Sequence, residues 1–261
     1  MTPKWDKLAH DLAEAWKNGT TIPLPAAGDG PASRAEAYLI QDRMAELIGG
    51  KVVGWKVGAA VRAVQMFEGH DGPLPGRIFA DRCYEANAKV EARLFKGAKV
   101  ECEFAFRLTK ALPAGRSAVT AADIAPIVTF HPAIELAASR YAPGTGNRAA
   151  NTFDGIADNG GGGATVLGAA VVDWKHLALK TMAIDARIDG SPAIQAYTGP
   201  YRRSPLDITA ETFSDLRARG VTLDAGTCVL TGSSSLPTPI RPGQTLVAKF
   251  GELPPLTLAF V

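Results

Sequence analysis

Val100-Glu101-Cys102-Glu103-Phe104-Ala105-Phe106 reads as a β-strand with two unlike faces. Side chains alternate across a strand, so Glu101 and Glu103 share one face while Cys102 and Phe104 take the other. Neighbouring carboxylates repel, and burying either one alone is costly. A divalent cation would remove both problems, and hard oxygen ligands suit Mg²⁺ or Mn²⁺. The same spacing also fits an edge strand whose polar face meets water, and on spacing alone the two readings stand level. A third glutamate, Glu135, stands in His131-Pro132-Ala133-Ile134-Glu135-Leu136-Ala137.

Outward from this stretch the chain is punctuated by short β-rich runs at 52–57, 77–79, 163–172, 183–188, 227–231, 245–250 and 256–261, with the central one covering 100–108. Turn residues separate them at close intervals. Helices are expected over 121–137 and 208–219, the second stopped by Gly220. At the N-terminus, apolar residues at Trp5, Leu8, Ala9, Leu12, Ala15 and Trp16 have helical spacing. A second helix runs from an N-cap at Ser33 to Ile48, with Glu36 placed for a capping box. The reading is an α+β chain: a helical region over 1–50, poorly suited to fold alone, and a curved, rolled sheet over 51–261.

Composition narrows the function. A chain of 261 residues with 46% hydrophobic residues can bury a large core. The net charge of +2 comes from scattered basic residues, which argues against nucleic acid or an acidic membrane as partner. No apolar run approaches the roughly 18 residues needed to span a bilayer. Residues 1–6 lack the order of a signal peptide, and Cys83, Cys102 and Cys228 are few, odd in number and widely spaced. They read as buried thiols in a reducing compartment, so the cytoplasm is expected.

Other constellations fail on chemistry. Asn159 followed by Gly160 to Gly163 lacks the Gly-x-Gly-x-x-Gly order of a dinucleotide loop, and fits a tight turn better. His10, His70, His131 and His176 have no metal-ligand spacing and read as surface or helix-end residues. Ser233-Ser234-Ser235 lacks the Gly-x-Ser-x-Gly elbow of a serine hydrolase. Lys249, Arg202 and Arg203 read as solvated.

Six segments in order resemble the 2-keto-4-pentenoate hydratase / 4-oxalocrotonate decarboxylase branch of the fumarylacetoacetate hydrolase superfamily. They are Gly54-Trp55-Lys56-Val57-Gly58, Gly76-Arg77-Ile78-Phe79-Ala80-Asp81, Val100 to Phe104, Pro132 to Leu136, Ala157-Asp158-Asn159 and Leu230-Thr231-Gly232. The resemblance implies a distorted β-roll with a divalent metal, Mg²⁺ or Mn²⁺, held by Glu101, Glu103 and Glu135. It implies Lys56 beside the metal, holding the substrate carboxylate or donating a proton, and Asp81 in acid–base work. Asp158, Asn159, Thr231 and Ser233 are expected to line the pocket. The implied substrate is a 2-oxo or 2-hydroxy acid, hydrated in meta-cleavage aromatic catabolism, with decarboxylation by the same fold as the alternative. A non-catalytic partner subunit is a weaker one, since all three glutamates are kept. The resemblance further implies a homo-oligomer, associating with a decarboxylase or hydratase partner. Ala60 stands where relatives carry a hydroxyl, which leaves the exact substrate open.

Overall fold

The computed structural model describes residues 2–68, 71–145, 149–192 and 194–261. In chain order the elements are α1 (Pro3–Asn18), α2 (Arg34–Ile48), β1 (Val52–Gly58), α3 (Arg62–Glu68), β2 (Leu74–Phe79), β3 (Cys83–Glu85) and β4 (Ala88–Val90). There follow β5 (Lys99–Leu108), α4 (Ala121–Ile124), β6 (Val128–Ala137), α5 (Thr152–Ala157), β7 (Gly162–Leu167), β8 (Ile184–Ile188) and β9 (Ser191–Pro192). The last are α6 (Pro205–Ala218), β10 (Cys228–Leu230), β11 (Thr238–Pro239), β12 (Thr245–Phe250) and β13 (Leu256–Phe260).

One sheet runs β2-β1-β10-β5-β6-β7-β3, with β11 paired to the start of β5. Its strands curl until opposite edges meet: Ile78, Cys83, Ala105, Ala133, Leu167, Cys228 and Leu230 pack in one inner cluster although they come from six strands. The second sheet, β4-β13-β12-β8-β9, covers the outer face of this roll. There Phe104, Phe106 and Phe130 meet Leu246, Phe250, Leu258, Phe260 and, from α6, Phe213 and Leu216. The alternation on β5 thus has a plain cause: Cys102, Phe104 and Phe106 face the main core, and Glu101 and Glu103 face the inside of the roll.

The N-terminal helices pack on each other and against Phe79, Tyr141 and Ala157. Ser33 caps α2, its Oγ accepting from the Glu36 N–H at 3.2 Å. The expected capping box is only half formed, because the Glu36 carboxylate accepts instead from the Ala32 N–H at 2.7 Å.

The helix expected over 121–137 is a correction. Helix α4 ends at Ile124, a 3₁₀ turn follows, and Val128–Ala137 is the central strand β6. Pro132 breaks a helix, and a proline in a central strand is also unusual. It is tolerated because its ring nitrogen needs no partner where β7 ends. The Pro132 carbonyl accepts from Gly168 N–H at 2.8 Å, and a Cβ on Gly168 would lie 2.6 Å from the proline ring. His131 is a second correction, being buried on β6 with Nδ1 2.8 Å from the Gly168 carbonyl. Arg202 is a third: it is buried with its guanidinium over the Phe104 ring, 5.2 Å from the centroid. His10 and His176 are exposed, and His70 lies outside the described residues.

Candidate active site

Strand register brings the three glutamates together. Glu101 on β5 stands directly opposite Glu135 on β6, and Glu103 lies two residues further along the same face of β5. Each offers a carboxylate oxygen, and these oxygens all lie within 4.8 Å of one another. Glu103 and Glu135 are almost fully buried, while Glu101 is partly exposed.

Lys56 reaches the same point from β1. Its Nζ lies 3.3 Å from Glu135 Oε1 and donates to the Gly160 carbonyl at 2.8 Å. Two glycines make room for this buried chain. A Cβ on Gly76, the cross-strand partner of Lys56, would lie 2.4 Å from the Asn159 carbonyl and 3.2 Å from Lys56 Cδ. Gly160 has φ +66°, and a Cβ there would lie 3.4 Å from Lys56 Nζ.

The segment after β10 holds the other side. Ser234 N–H donates to the Cys102 carbonyl at 2.8 Å, and Ser235 Oγ accepts from the Cys102 N–H at 3.0 Å. This stitching aims the Gly232 N–H at Glu103 Oε2, 2.9 Å away. Glu103 Oε1 is buried, and no N–H or O–H donor among the described residues reaches it.

The electrostatics follow from burial and crowding. Burial, reinforced by Glu135, pushes the Glu101 carboxyl up to about 7 against the pull of Lys56 and Ser233. Burial, with Glu135 and Glu101 adding, holds Glu103 well above the usual carboxylate range. Burial pulls the Lys56 ammonium down, but Glu135, Glu101 and Glu103 together outweigh it, so the net shift is upward. Three crowded carboxyls, two of them with a buried oxygen that lacks a hydrogen-bond donor, fit a hard divalent cation: it would accept those lone pairs and cancel the repulsion.

The site opens into a cleft of about 870 Å³ lined by Lys56, Glu101, Gly160, Gly161 and Tyr141, among others. Of the other expected residues, Ser233 lies beside the cluster: its hydroxyl is within hydrogen-bonding reach of Glu101 and 2.6 Å from the Ser235 carbonyl. The rest of the expected lining is spoken for elsewhere. Asp158 is buried under Arg140, with Oδ1 2.5 Å from Arg140 Nε and Oδ2 accepting from Ser139 Oγ and Arg140 N–H, each at 2.9 Å. Asn159 bridges to β2, Oδ1 accepting from Arg77 N–H at 2.6 Å and Nδ2 donating to the Arg77 carbonyl at 2.9 Å. Thr231 Oγ1 donates to the Phe104 carbonyl at 3.2 Å. All three are buried, with these polar atoms hydrogen-bonded to protein groups.

Asp81, expected in acid–base work, lies apart from the residues that line the cleft. It is exposed on a 3₁₀ turn, and its charge acts on Arg82 and Tyr84, not on Lys56. The strand ends at Phe79, whose ring turns into the helical cluster, and the chain leaves the roll before Asp81. Sequence reasoning also missed the Gly232 N–H and the Gly160 carbonyl, since backbone groups carry no residue signature. The glycines themselves were the one available sign.

A curled sheet over an acidic, lysine-bearing interior is the fold of the fumarylacetoacetate hydrolase superfamily. It overlays 4-oxalocrotonate decarboxylase from Pseudomonas putida G7, solved with magnesium and adipate, at TM-score 0.87 and 22% identity, covering 100% of this chain and 99% of that one. In sequence the chain is similar to proteins named 2-keto-4-pentenoate hydratase and 4-oxalocrotonate decarboxylase. A 2-keto-4-pentenoate hydratase of Burkholderia vietnamiensis is 29% identical over 251 residues, 94% of this chain and 93% of the relative. The TodF product hydratase of Pseudomonas putida is 27% identical over 258 residues, 97% of this chain and 94% of the relative. No family model matches the chain.

Proposed function

We propose that this protein is a divalent-metal-dependent hydro-lyase that adds water to 2-hydroxypenta-2,4-dienoate, or a close analogue, giving a 4-hydroxy-2-oxo acid. The observation that carries the reading is the buried cluster of Glu101, Glu103 and Glu135 with Lys56 against it, beside a cleft that Lys56 and Glu101 line. Glu101, Glu103 and Glu135 would hold Mg²⁺ or Mn²⁺, which supplies Lewis-acid stabilisation of charge developing on the substrate's C2 oxygen. Lys56 is charged and dry, so it is placed to neutralise the substrate carboxylate and to exchange a proton with the dienol. Loss of the dienol O–H proton and protonation at C5 give 2-oxopent-3-enoate. Water then adds at C4, its second proton passing to C3, so that atoms and charge balance. Ser233, beside Glu101, orients the carboxylate that borders the cleft. Asp81 takes no part.

Decarboxylation of 4-oxalocrotonate is the second reading, supported by the full-length overlay on such an enzyme. It draws on the same charge stabilisation. Place in aromatic catabolism, a cytoplasmic location and a homo-oligomeric state, alone or with a decarboxylase or hydratase partner, complete the proposal. So does a division into a helical region over 1–50 and a catalytic roll over 51–261. In support, no helix among the described residues is long and apolar enough to cross a membrane, and the cysteines are free.

The test is ultraviolet loss of freshly made 2-hydroxypenta-2,4-dienoate by chelated protein, then after Mg²⁺ or Mn²⁺, with products identified. Metal-restored 4-hydroxy-2-oxopentanoate supports the hydratase. Turnover of 4-oxalocrotonate alone, with release of carbon dioxide, would replace it by the second reading.

A further inference from the structure

Cys83 and Cys228 meet inside the roll. Cys83 opens β3, the edge strand at one end of the sheet, and Cys228 opens β10, four strand pairings away along that sheet. Curling brings both residues into the inner apolar cluster, where their thiols lie within hydrogen-bonding reach of each other. Space for the Cys228 sulfur comes from Gly54, its partner on β1: a side chain on Gly54 would run into Cys228 Sγ. The third and last cysteine of the chain, Cys102, is fully buried and faces the main core instead. One pairing alone is therefore open.

The two thiols differ in what surrounds them. Cys83 is partly exposed, whereas Cys228 is buried. Arg107 stands opposite Cys228 in the ladder, and its buried Nε has no hydrogen-bond partner among the described residues. The Cys228 thiol donating to Cys83, with Arg107 adding, holds Cys83 below the ordinary thiol range against burial and Glu85. The same contact, with burial, holds Cys228 well above it. Thiolate character thus collects on the residue that solvent reaches, and the proton stays on the one behind it. Thiol–disulfide exchange needs this order: an accessible attacking thiolate and a second thiol in contact to resolve the mixed disulfide.

We propose that Cys83 and Cys228 form a redox-active pair, which an external disulfide such as glutathione disulfide converts into an intramolecular cross-link that staples β3 to β10. The Cys83 thiolate attacks one sulfur of the oxidant, forming a mixed disulfide and releasing one thiolate. Cys228 gives up its proton and attacks the Cys83 sulfur, forming the Cys83–Cys228 bond and releasing the second thiolate. Two protein thiols are oxidised, and one external disulfide is reduced to two thiols. Closing the sulfurs from contact to the ~2.05 Å of a bond needs movement. Strand β3 can supply it, being three residues long and paired on one side only. In a reducing compartment such bonds are transient and report oxidation. None of this depends on the reaction at the glutamates.

The experiment treats the intact, Mg²⁺-loaded chain with glutathione disulfide, alkylates the remaining thiols in urea, and measures intact and peptide masses. The expected product has lost two hydrogens, is alkylated on Cys102 alone, and yields a linked peptide pair carrying Cys83 and Cys228. Dithiothreitol should return all three thiols. The oxidised chain should also unfold at a higher urea concentration than the reduced one, because the cross-link constrains the unfolded state. C228A should stop at a glutathione adduct on Cys83, and C83A should take up no glutathione at Cys228. Three alkylated thiols in wild type, a lasting glutathione adduct on its Cys83, or a cross-link through Cys102 would overturn the pair. A Cys83–Cys228 bond that lowers the urea midpoint would overturn the staple.

Discussion

Glu101 and Glu135 face each other directly across β5 and β6. Like charges in that position destabilise a sheet, and here the pair is also drawn away from water, with Glu103 alongside. The fold therefore holds an electrostatic conflict that a divalent cation resolves, and this conflict has measurable consequences.

Replacing Glu103 by Gln keeps the shape and removes one buried, ionisable carboxyl. The metal-free variant should be at least as stable as wild type in urea, because a desolvated carboxyl is lost. Mn²⁺ affinity should fall by more than the roughly 100-fold that an outer-sphere partner is worth, and turnover with it. Calorimetric Mn²⁺ titration checks the first effect and dienoate consumption the second. Unchanged affinity would remove Glu103 from the ligand set.

The upward shifts of Glu101 and Glu103 set a pH dependence whose sign can be worked out. An unfolded glutamate titrates near 4.3, whereas Glu101 in the folded chain titrates at about 7. Between these values the folded state binds more protons than the unfolded one, so stability falls as pH rises. Chelated protein should melt at a higher temperature at pH 5 than at pH 7.5. Mg²⁺ should restore the difference at pH 7.5, where it no longer competes with protons. Metal affinity itself should climb through pH 7.

Lys56 and Asp81 should part company in mutagenesis. K56M is expected to lower turnover by about 10²–10⁴-fold, the usual range for a lost acid–base group. D81A alters an exposed turn and should leave kcat/KM within about twofold and stability within ~0.5 kcal/mol. A large kcat loss in D81A would restore it to the chemistry.

Asp158 is read here as a wall of the site and not as a contact to substrate. D158N would leave the buried Arg140 guanidinium without its counter-charge, a change that costs about 3 kcal/mol or more. Urea unfolding should show that loss. A variant of native stability with only a raised KM would mean that Asp158 binds the substrate after all.

Much of this is legible in the sequence alone. The alternation around Glu101 and Glu103 separates a core face from a polar one, and the roll does the same. Glu135 was legible as a residue but not as an element. An apolar run of this length fits helix or strand alike, and what decided it was pairing with β5, a partner more than twenty residues away in sequence. Asp158, Asn159 and Thr231 lie in motifs beside the site, yet their polar atoms are consumed by Arg140, Arg77 and Phe104. Motif spacing shows that such residues matter and is blind to which neighbour claims them. Lys99 continues the alternation of Glu101 and Glu103, and only the folded chain shows that Lys99 and Glu101 line one cleft.

The inner cluster of Ile78, Ala105, Ala133, Leu167 and Leu230 stops the roll beneath the carboxylates like a cork. Reactant and product then meet the same glutamates above that floor, so the spent hydroxy acid should slow the enzyme by competing with fresh substrate.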